Sequence, residues 1–440
     1  MAAPQTVRWA ARHGIARTVL NRHARRGNLD ARLMTERALR EDPFASYDEV
    51  RARGPISRGP FALTSASHEV CGAILRSDSF GVELRPQQLP GLARRVIAAS
   101  RGGALTPVDP PSMLAVDPPT HTRYRRLVSK VFTPRAIEAL RPRMQQLAND
   151  LLDDLDTAGR DGAPVDLVQG YAALLPVTVI AEILGVPTAM RDQFLSWGNG
   201  AAVTLDIGIG LGEFRRAEAA LTAMRSWMND HFQRLRRDPG DDLLSQLVQV
   251  EDAEGPLTEL ELAGTAMLLL GAGFETTVNL IGNGVVQLVR HPDQLRTLQE
   301  QPDLWGNAVE EVLRYDSPVQ RTARVAMSET EIAGQRIPQG ALVACLLGGA
   351  NRDPAVFADP HSFDVTRANA RDHLAFSAGI HFCLGAALAR MEGQIGLQTL
   401  FERYPHLTIA ADPHRRGTRV LRGYDRIPVT LGAASFPAAA

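Results

Sequence analysis

The chain of 440 residues is short of several features, and each shortage removes a class of protein. Its three cysteines, Cys71, Cys345 and Cys383, are too few and too scattered for a disulfide framework or a four-ligand zinc site, so a reducing, cytoplasmic setting is expected. Net charge is formally -1, so no global field draws the chain to nucleic acid or to a membrane. Lysine is almost absent: of 48 basic residues only Lys130 is one, a bias expected of GC-rich coding and without chemical meaning. The longest nearly apolar run, Leu262 to Phe274, is bracketed by Glu261 and Glu275 and is too short to span a bilayer. No signal-peptide pattern precedes it, so a soluble protein without a transmembrane segment is expected. What is present, 45% hydrophobic and 22% charged residues, suits a globular chain with a large core, either two or three ordinary domains or one large helical one.

Before Asp30 the chain carries Arg8, Arg12, Arg17, Arg22, Arg25 and Arg26 and no acid. This basic extension, residues 1–38, reads first as loosely packed and solvated; an amphipathic helix lying on a membrane surface is the alternative. Residues 82–115 break the helical pattern with prolines and Gly102-Gly103, a long loop of the kind that is functional or disordered. After Pro118-Pro119 a helix is expected on which His121 and Arg125 share one face and Arg123, Arg126 and Lys130 the opposite one. The glycine-rich piece from Asp206 to Gly212, set among helices, reads as a mobile lid over a binding pocket.

Leu257-Thr258-Glu259-Leu260-Glu261-Leu262 is a capping box with a hydrophobic staple, and the helix it starts runs to about Arg290, where His291-Pro292 stops it. Its middle, Gly271-Ala272-Gly273-Phe274-Glu275-Thr276, places glycines and a carboxylate inside an apolar run, each at a cost. One reading is a packing notch with a satisfied polar pair; the other is a helix pressed against a flat ligand, with acid and hydroxyl holding water.

Near the C-terminus a lone cysteine stands between glycines in Phe376-Ser-Ala-Gly379-Ile-His381-Phe-Cys383-Leu-Gly385 and precedes an alanine-rich helical run. Amides at a helix start stabilise a thiolate. Gly379 and Gly385 let the main chain approach a flat ligand, and His381 is placed to hydrogen-bond an anionic group at its rim. By residue type alone a single buried cysteine is an inert core residue.

The pattern F-x-x-G-x-H-x-C-x-G resembles the haem-binding signature of the cytochrome P-450 family. Three further motifs agree: Ala272-Gly273-Phe274-Glu275-Thr276, Glu311-Val-Leu-Arg314, and His121 with Arg125. The resemblance covers roughly residues 40 to 430. It implies a mainly α fold with small β-sheets, a single large triangular helical domain over residues 39–440, and a long central helix over the haem. By it, Cys383 is the proximal ligand of haem b (iron protoporphyrin IX), and Phe376, Gly379 and Gly385 frame the cofactor. His121, Arg125, Arg324 and His381 bind the haem propionates. Thr276 hydrogen-bonds dioxygen, Glu275 supports the proton relay, Ala272 and Gly273 border the oxygen and substrate pocket, and Glu311 with Arg314 form a buried structural pair behind the haem.

The function implied is a bacterial monooxygenase that inserts one oxygen atom from O2 into an apolar organic substrate. Electrons would come from a ferredoxin and an NAD(P)H-dependent reductase; no flavin domain follows Ala440, so a separate donor is expected. A peroxide-driven peroxygenase and a non-catalytic haem sensor are the alternatives, and retention of Glu275 and Thr276 counts against both. Leu89, Leu92, Leu269, Val319 and Gln320 are expected in the substrate pocket, with a large apolar substrate such as a polyketide, terpenoid, steroid or fatty acyl chain. The outward trio Arg123, Arg126 and Lys130 is expected to dock the acidic ferredoxin, and the protein is expected to be a monomer.

Overall fold

A computed structural model of the chain describes residues 3–84, 91–100, 102–130, 132–252 and 254–432. The helices that position the site are, in chain order, α1 Ile15–Ala24, α2 His68–Arg76, α3 Thr120–Ser129, α4 Arg141–Ala158, α5 Leu174–Ile183, α6 Arg191–Val203, α7 Leu211–Arg237, α8 Glu259–Arg290, α9 Trp305–Tyr315 and α10 Ala386–Arg403.

Helix α8 is the beam on which the rest is assembled. It begins where the Thr258 side chain accepts from the Glu261 amide at 3.3 Å while Glu261 Oε2 accepts from the Thr258 amide at 2.7 Å. This reciprocal cap satisfies two amides that a helix start leaves unpaired. The helix ends at His291, whose φ of -123° leaves the helical range before Pro292. Its 32 residues, at 1.5 Å each, cross roughly 48 Å. By length and hydropathy α8 would also suffice to cross a membrane, but it is enclosed by α5, α6, α7, α9 and α10, and 78% of its apolar window is buried. Ala263, Ala266, Leu270, Ile281, Val285 and Val286 have no surface left. Glycine makes the crossing with α10 close. A Cβ on Gly284 would stand 2.7 Å from Leu397, and one on Gly393 would stand 2.8 Å from Leu280.

The principal sheet has five short strands, β1 Ser57–Arg58, β2 Leu63–Ser65, β3 Phe80–Gly81, β4 Thr322–Ala326 and β5 Leu342–Cys345, in the order β1-β2-β5-β4-β3. β5 runs parallel to β2 and antiparallel to β4, with Val343 opposite Arg324. A hairpin of β6 His414–Arg415 and β7 Tyr424–Arg426 lies near the C-terminus.

Two expectations change here. The segment expected as a long loop contains a helix, Gly91–Ser100, because its alanines and paired arginines favour helix once the flanking prolines are passed. The N-terminal segment is not loosely packed. It is helical through Gln5–Trp9, a π-helical turn and α1. Arg8 pairs with Glu218 of α7 at 2.7 Å, Arg12 with Asp109 at 2.8 Å, and Trp9 Nε1 donates to the Ile209 carbonyl at 3.0 Å. Those partners are far away in sequence, so local reading of the arginines as solvated had no access to them. Arg22, Arg25 and Arg26 remain exposed.

Candidate functional site

Cys383 sits between a short 3-10 turn, Gly379–His381, and the start of α10. Its amide donates to the Phe376 carbonyl at 2.9 Å, which closes the loop. The sulfur faces a cavity of about 340 Å³ whose lining is predominantly apolar. Burial pushes the Cys383 thiol up, and the Gly385 amide, Arg125 and Arg390 pull it back toward the thiolate. Arg390 also lies over the Phe376 ring at 4.6 Å. Gly385 lines the cavity, and a Cβ there would meet no protein atom within 4 Å.

Four basic side chains converge on the same cavity: His121 and Arg125 from α3, Arg324 from β4, and His381 beside the cysteine. The His121 and His381 rings are 4.3 Å apart. Burial first, then Arg324, His121 and Arg125, lowers the His381 pKa to about 3, and its Nε2 is buried without a partner. Burial also lowers His121 and Arg324. None of the four makes an ion pair among the described residues; Asp117, whose oxygens accept from the Val82 and Glu83 amides, attracts His121 and Arg324 only at longer range, so this wall is short of counter-charge. A flat ligand with carboxylates at its rim, held from below by one sulfur, supplies what the wall lacks. The residues therefore fit haem.

On the opposite wall Leu268, Leu269, Gly271, Ala272, Gly273 and Thr276 of α8 face the cavity. Thr276 Oγ1 donates to the Ala272 carbonyl at 2.9 Å. The glycines serve packing as well: a Cβ on Gly273 would stand 3.1 Å from Ile180 of α5, so the notch and the ligand wall are one feature. Glu275 points away from the cavity lining, is buried, and pairs through Oε1 with Arg416 while Oε2 has no partner. Burial raises its pKa against the pull of Arg416.

Glu311 and Arg314 of α9 have no exposed surface and meet through two bonds of 2.6 and 2.7 Å. Arg314 also donates to the carbonyls of Asn351, Pro360 and Ser362, and Arg367 approaches Glu311 at 3.3 Å. Every fork of the pair is thus satisfied.

Three expected site residues stand elsewhere. Gly379 has φ +69°, and a Cβ there would lie 2.2 Å from the Leu75 carbonyl; it serves the approach of the loop to α2 rather than to a ligand. Gln320 is buried between Tyr47, whose hydroxyl donates to it at 3.0 Å, and Ser317, whose carbonyl it reaches at 2.8 Å, so it is absent from the cavity that Val319 and Leu269 do line. Arg123 is buried, bonding Asp252 and the Gly255 carbonyl; the acids that hold it are on the other side of a turn leading into α8. Arg126 shares Asp252 but is exposed, as is Lys130. Leu89 and the side chain of Leu92 lie outside the described residues. Sequence reasoning missed Arg416, Glu392 and Arg321. Glu392, on α10 beyond Cys383, lines the cavity with Oε2 unpartnered, and its pKa is raised well above the usual range by burial, with Thr277 opposing. A carboxylate within an alanine- and glycine-rich helix was the signal available.

The cytochrome P450 family model matches residues 211–419. A Mycobacterium tuberculosis protein bearing the name cytochrome P450 140 is 49% identical over 429 residues, 97% of each chain. The 6-deoxyerythronolide B hydroxylase of Saccharopolyspora erythraea is 45% identical over 322 residues, covering 72% of this chain and 76% of that one. Among solved structures, P450BioI in complex with a hexadec-9Z-enoic acid-ligated acyl carrier protein superposes with a TM-score of 0.81 at 37% identity, over 90% of this chain and all of that one.

Proposed function

Because this chain belongs to the cytochrome P450 family, and is thus a haem-dependent monooxygenase that uses O2 and redox partners, we propose that Cys383 holds the haem from below and that α8 covers it. The observation that carries this assignment is the single sulfur facing a cavity whose rim gathers His121, Arg125, Arg324 and His381 with no acid paired to them. Haem bound there supplies the activation of dioxygen and the transfer of one oxygen atom to substrate.

The protein's part is to bind, orient and move protons. The four basic groups bond the two propionates and fix the ring's orientation. Thr276 presents its hydroxyl to the cavity and holds a proton at Oγ1, released from the Ala272 carbonyl when a better acceptor arrives. Glu275 Oε2 is placed to take up a proton from the interior, and the Arg416 pair keeps the carboxylate from wandering. The buried Glu311 and Arg314 pair holds the loops behind the cofactor and does no chemistry.

The apolar lining favours an apolar substrate body, as with the relatives whose names speak of 6-deoxyerythronolide B or of hexadec-9Z-enoic acid. Electrons come from a separate ferredoxin and its reductase, docking near the exposed Arg126 and Lys130, in the cytoplasm, as three unpaired cysteines suit. Residues 39–440 act as one catalytic domain. The test is the dithionite-reduced, carbon monoxide-bound absorbance spectrum of wild type and Cys383→Ser. The thiolate Soret band is expected in the first and lost in the second; a wild-type haem protein without it refutes the assignment.

A further inference from the structure

Beside the haem cavity lies a second, much smaller chamber of about 20 Å³, with room for one or two water-sized groups. Its wall holds six arginines: Arg40, Arg321, Arg415, Arg416, Arg419 and Arg422. Three are paired, with two carboxylates between them. Arg415 and Arg422 meet Asp316 at 2.8 and 2.6 Å, and Arg416 meets Glu275. The other three are not paired with any carboxylate. Arg40 reaches the Met34 carbonyl at 3.4 Å, Arg321 touches the Met34 sulfur, and Arg419 donates to the Ile207 carbonyl. Each keeps its Nε buried without a partner. Asp206 attracts all three, but both its oxygens are already taken by the amides of Arg419 and Val420.

A guanidinium whose Nε is buried without an acceptor is under-satisfied, and a planar fork with free N–H groups matches a carboxylate. The position of the chamber says where that carboxylate comes from. Arg321 and Leu421 line both this chamber and the large apolar cavity, so the two meet at these side chains. The small volume admits a head group and excludes a body.

We propose that this chamber receives the carboxylate of an apolar carboxylic acid whose body occupies the haem cavity, with Arg321 as the residue that joins the two. The proposal rests on the reading of that cavity as the substrate site. It narrows the substrate to an amphiphile with one anionic end, anchored at the arginines so that a part of its chain remote from the acid lies over the haem.

The experiment titrates haem-loaded wild type, Arg321→Gln and Arg419→Gln with linear carboxylic acids of medium and long chain and with their methyl esters. Binding is read by calorimetry and by the change in haem absorbance. Wild type is expected to prefer an acid over its ester by about tenfold or more, the factor a charge-assisted hydrogen bond supplies. Arg321→Gln is expected to remove the preference by weakening the acid about tenfold more than the ester; Arg419→Gln gives the same reading should the first variant not fold. Equal binding of acid and ester by wild type, equal weakening of both by the variants, or no binding of either overturns the proposal. Inorganic phosphate is the second arm: a rise in melting temperature with phosphate, without any preference for acids, assigns the chamber to a free anion instead and overturns it too. The acid-to-ester ratio is read in protein whose Cys383-dependent band is intact, so its failure is distinct from failure of the haem assignment.

Discussion

Glu392→Gln isolates one buried carboxyl group. Glu392 is 1% exposed, its Oε2 has no partner, and the Thr277 hydroxyl beside it offsets only part of the burial that raises its pKa. Glutamine keeps the shape and removes the proton equilibrium. The sign follows from proton counting. With its pKa raised in the folded state, Glu392 stays protonated there over a range in which the unfolded chain has released that proton. Its contribution to stability is therefore fully present below the ordinary value of 4.5 and is lost as pH rises toward the folded value. A difference of one proton makes wild type lose about 1.4 kcal/mol per pH unit relative to the variant, from about pH 5 upward until the folded pKa is reached. The assay is denaturant unfolding of both haem-loaded proteins over a pH series, comparing differences at each pH so that the shared cofactor contribution cancels. A flat difference, or a wild type that gains on the variant as pH rises, would show that Glu392 is ionised and solvated in the fold and would refute the reasoning.

Three further outcomes are expected. Arg314→Met leaves Glu311 buried with the Asp364 amide and the more distant Arg367, and should cost about 3–5 kcal/mol, read as a fall in melting temperature and soluble yield; a near-neutral result would mean the pair is dispensable. Gly379→Ala forces a side chain onto a left-handed residue against the Leu75 carbonyl, and should cost about 1–3 kcal/mol and lower haem content; full haem loading at unchanged melting temperature would refute the close approach. Arg123→Gln should lower the melting temperature through loss of its part-buried bonds to Asp252 and the Gly255 carbonyl while electron transfer from ferredoxin is unchanged; slowed transfer at unchanged stability would return Arg123 to the surface.

Legibility followed sequence distance. The capping box of Thr258 and Glu261, the stop at His291-Pro292 and the cysteine loop each lie within a few residues, and all were readable. The 3.6-residue period likewise placed His121 and Arg125 on one face, and both line the cavity. The same period placed Arg123 on the other face but could not say whether that face meets water or protein. It meets Asp252, 129 residues away.

The sequence by itself determined the long helix, the thiol loop and several of the groups that line the cavity, since capping, helical period and a short motif are set by near neighbours in the chain. Only the tertiary structure decided which way each polar group turned. Gln320 turned to Tyr47, Gly379 yielded to Leu75, Arg416 found Glu275, and arginines from three distant segments, around 40, 321 and 415–422, closed on one chamber. Burial and charge pairing act between atoms close in space, and those partners are separated in the chain by tens to hundreds of residues.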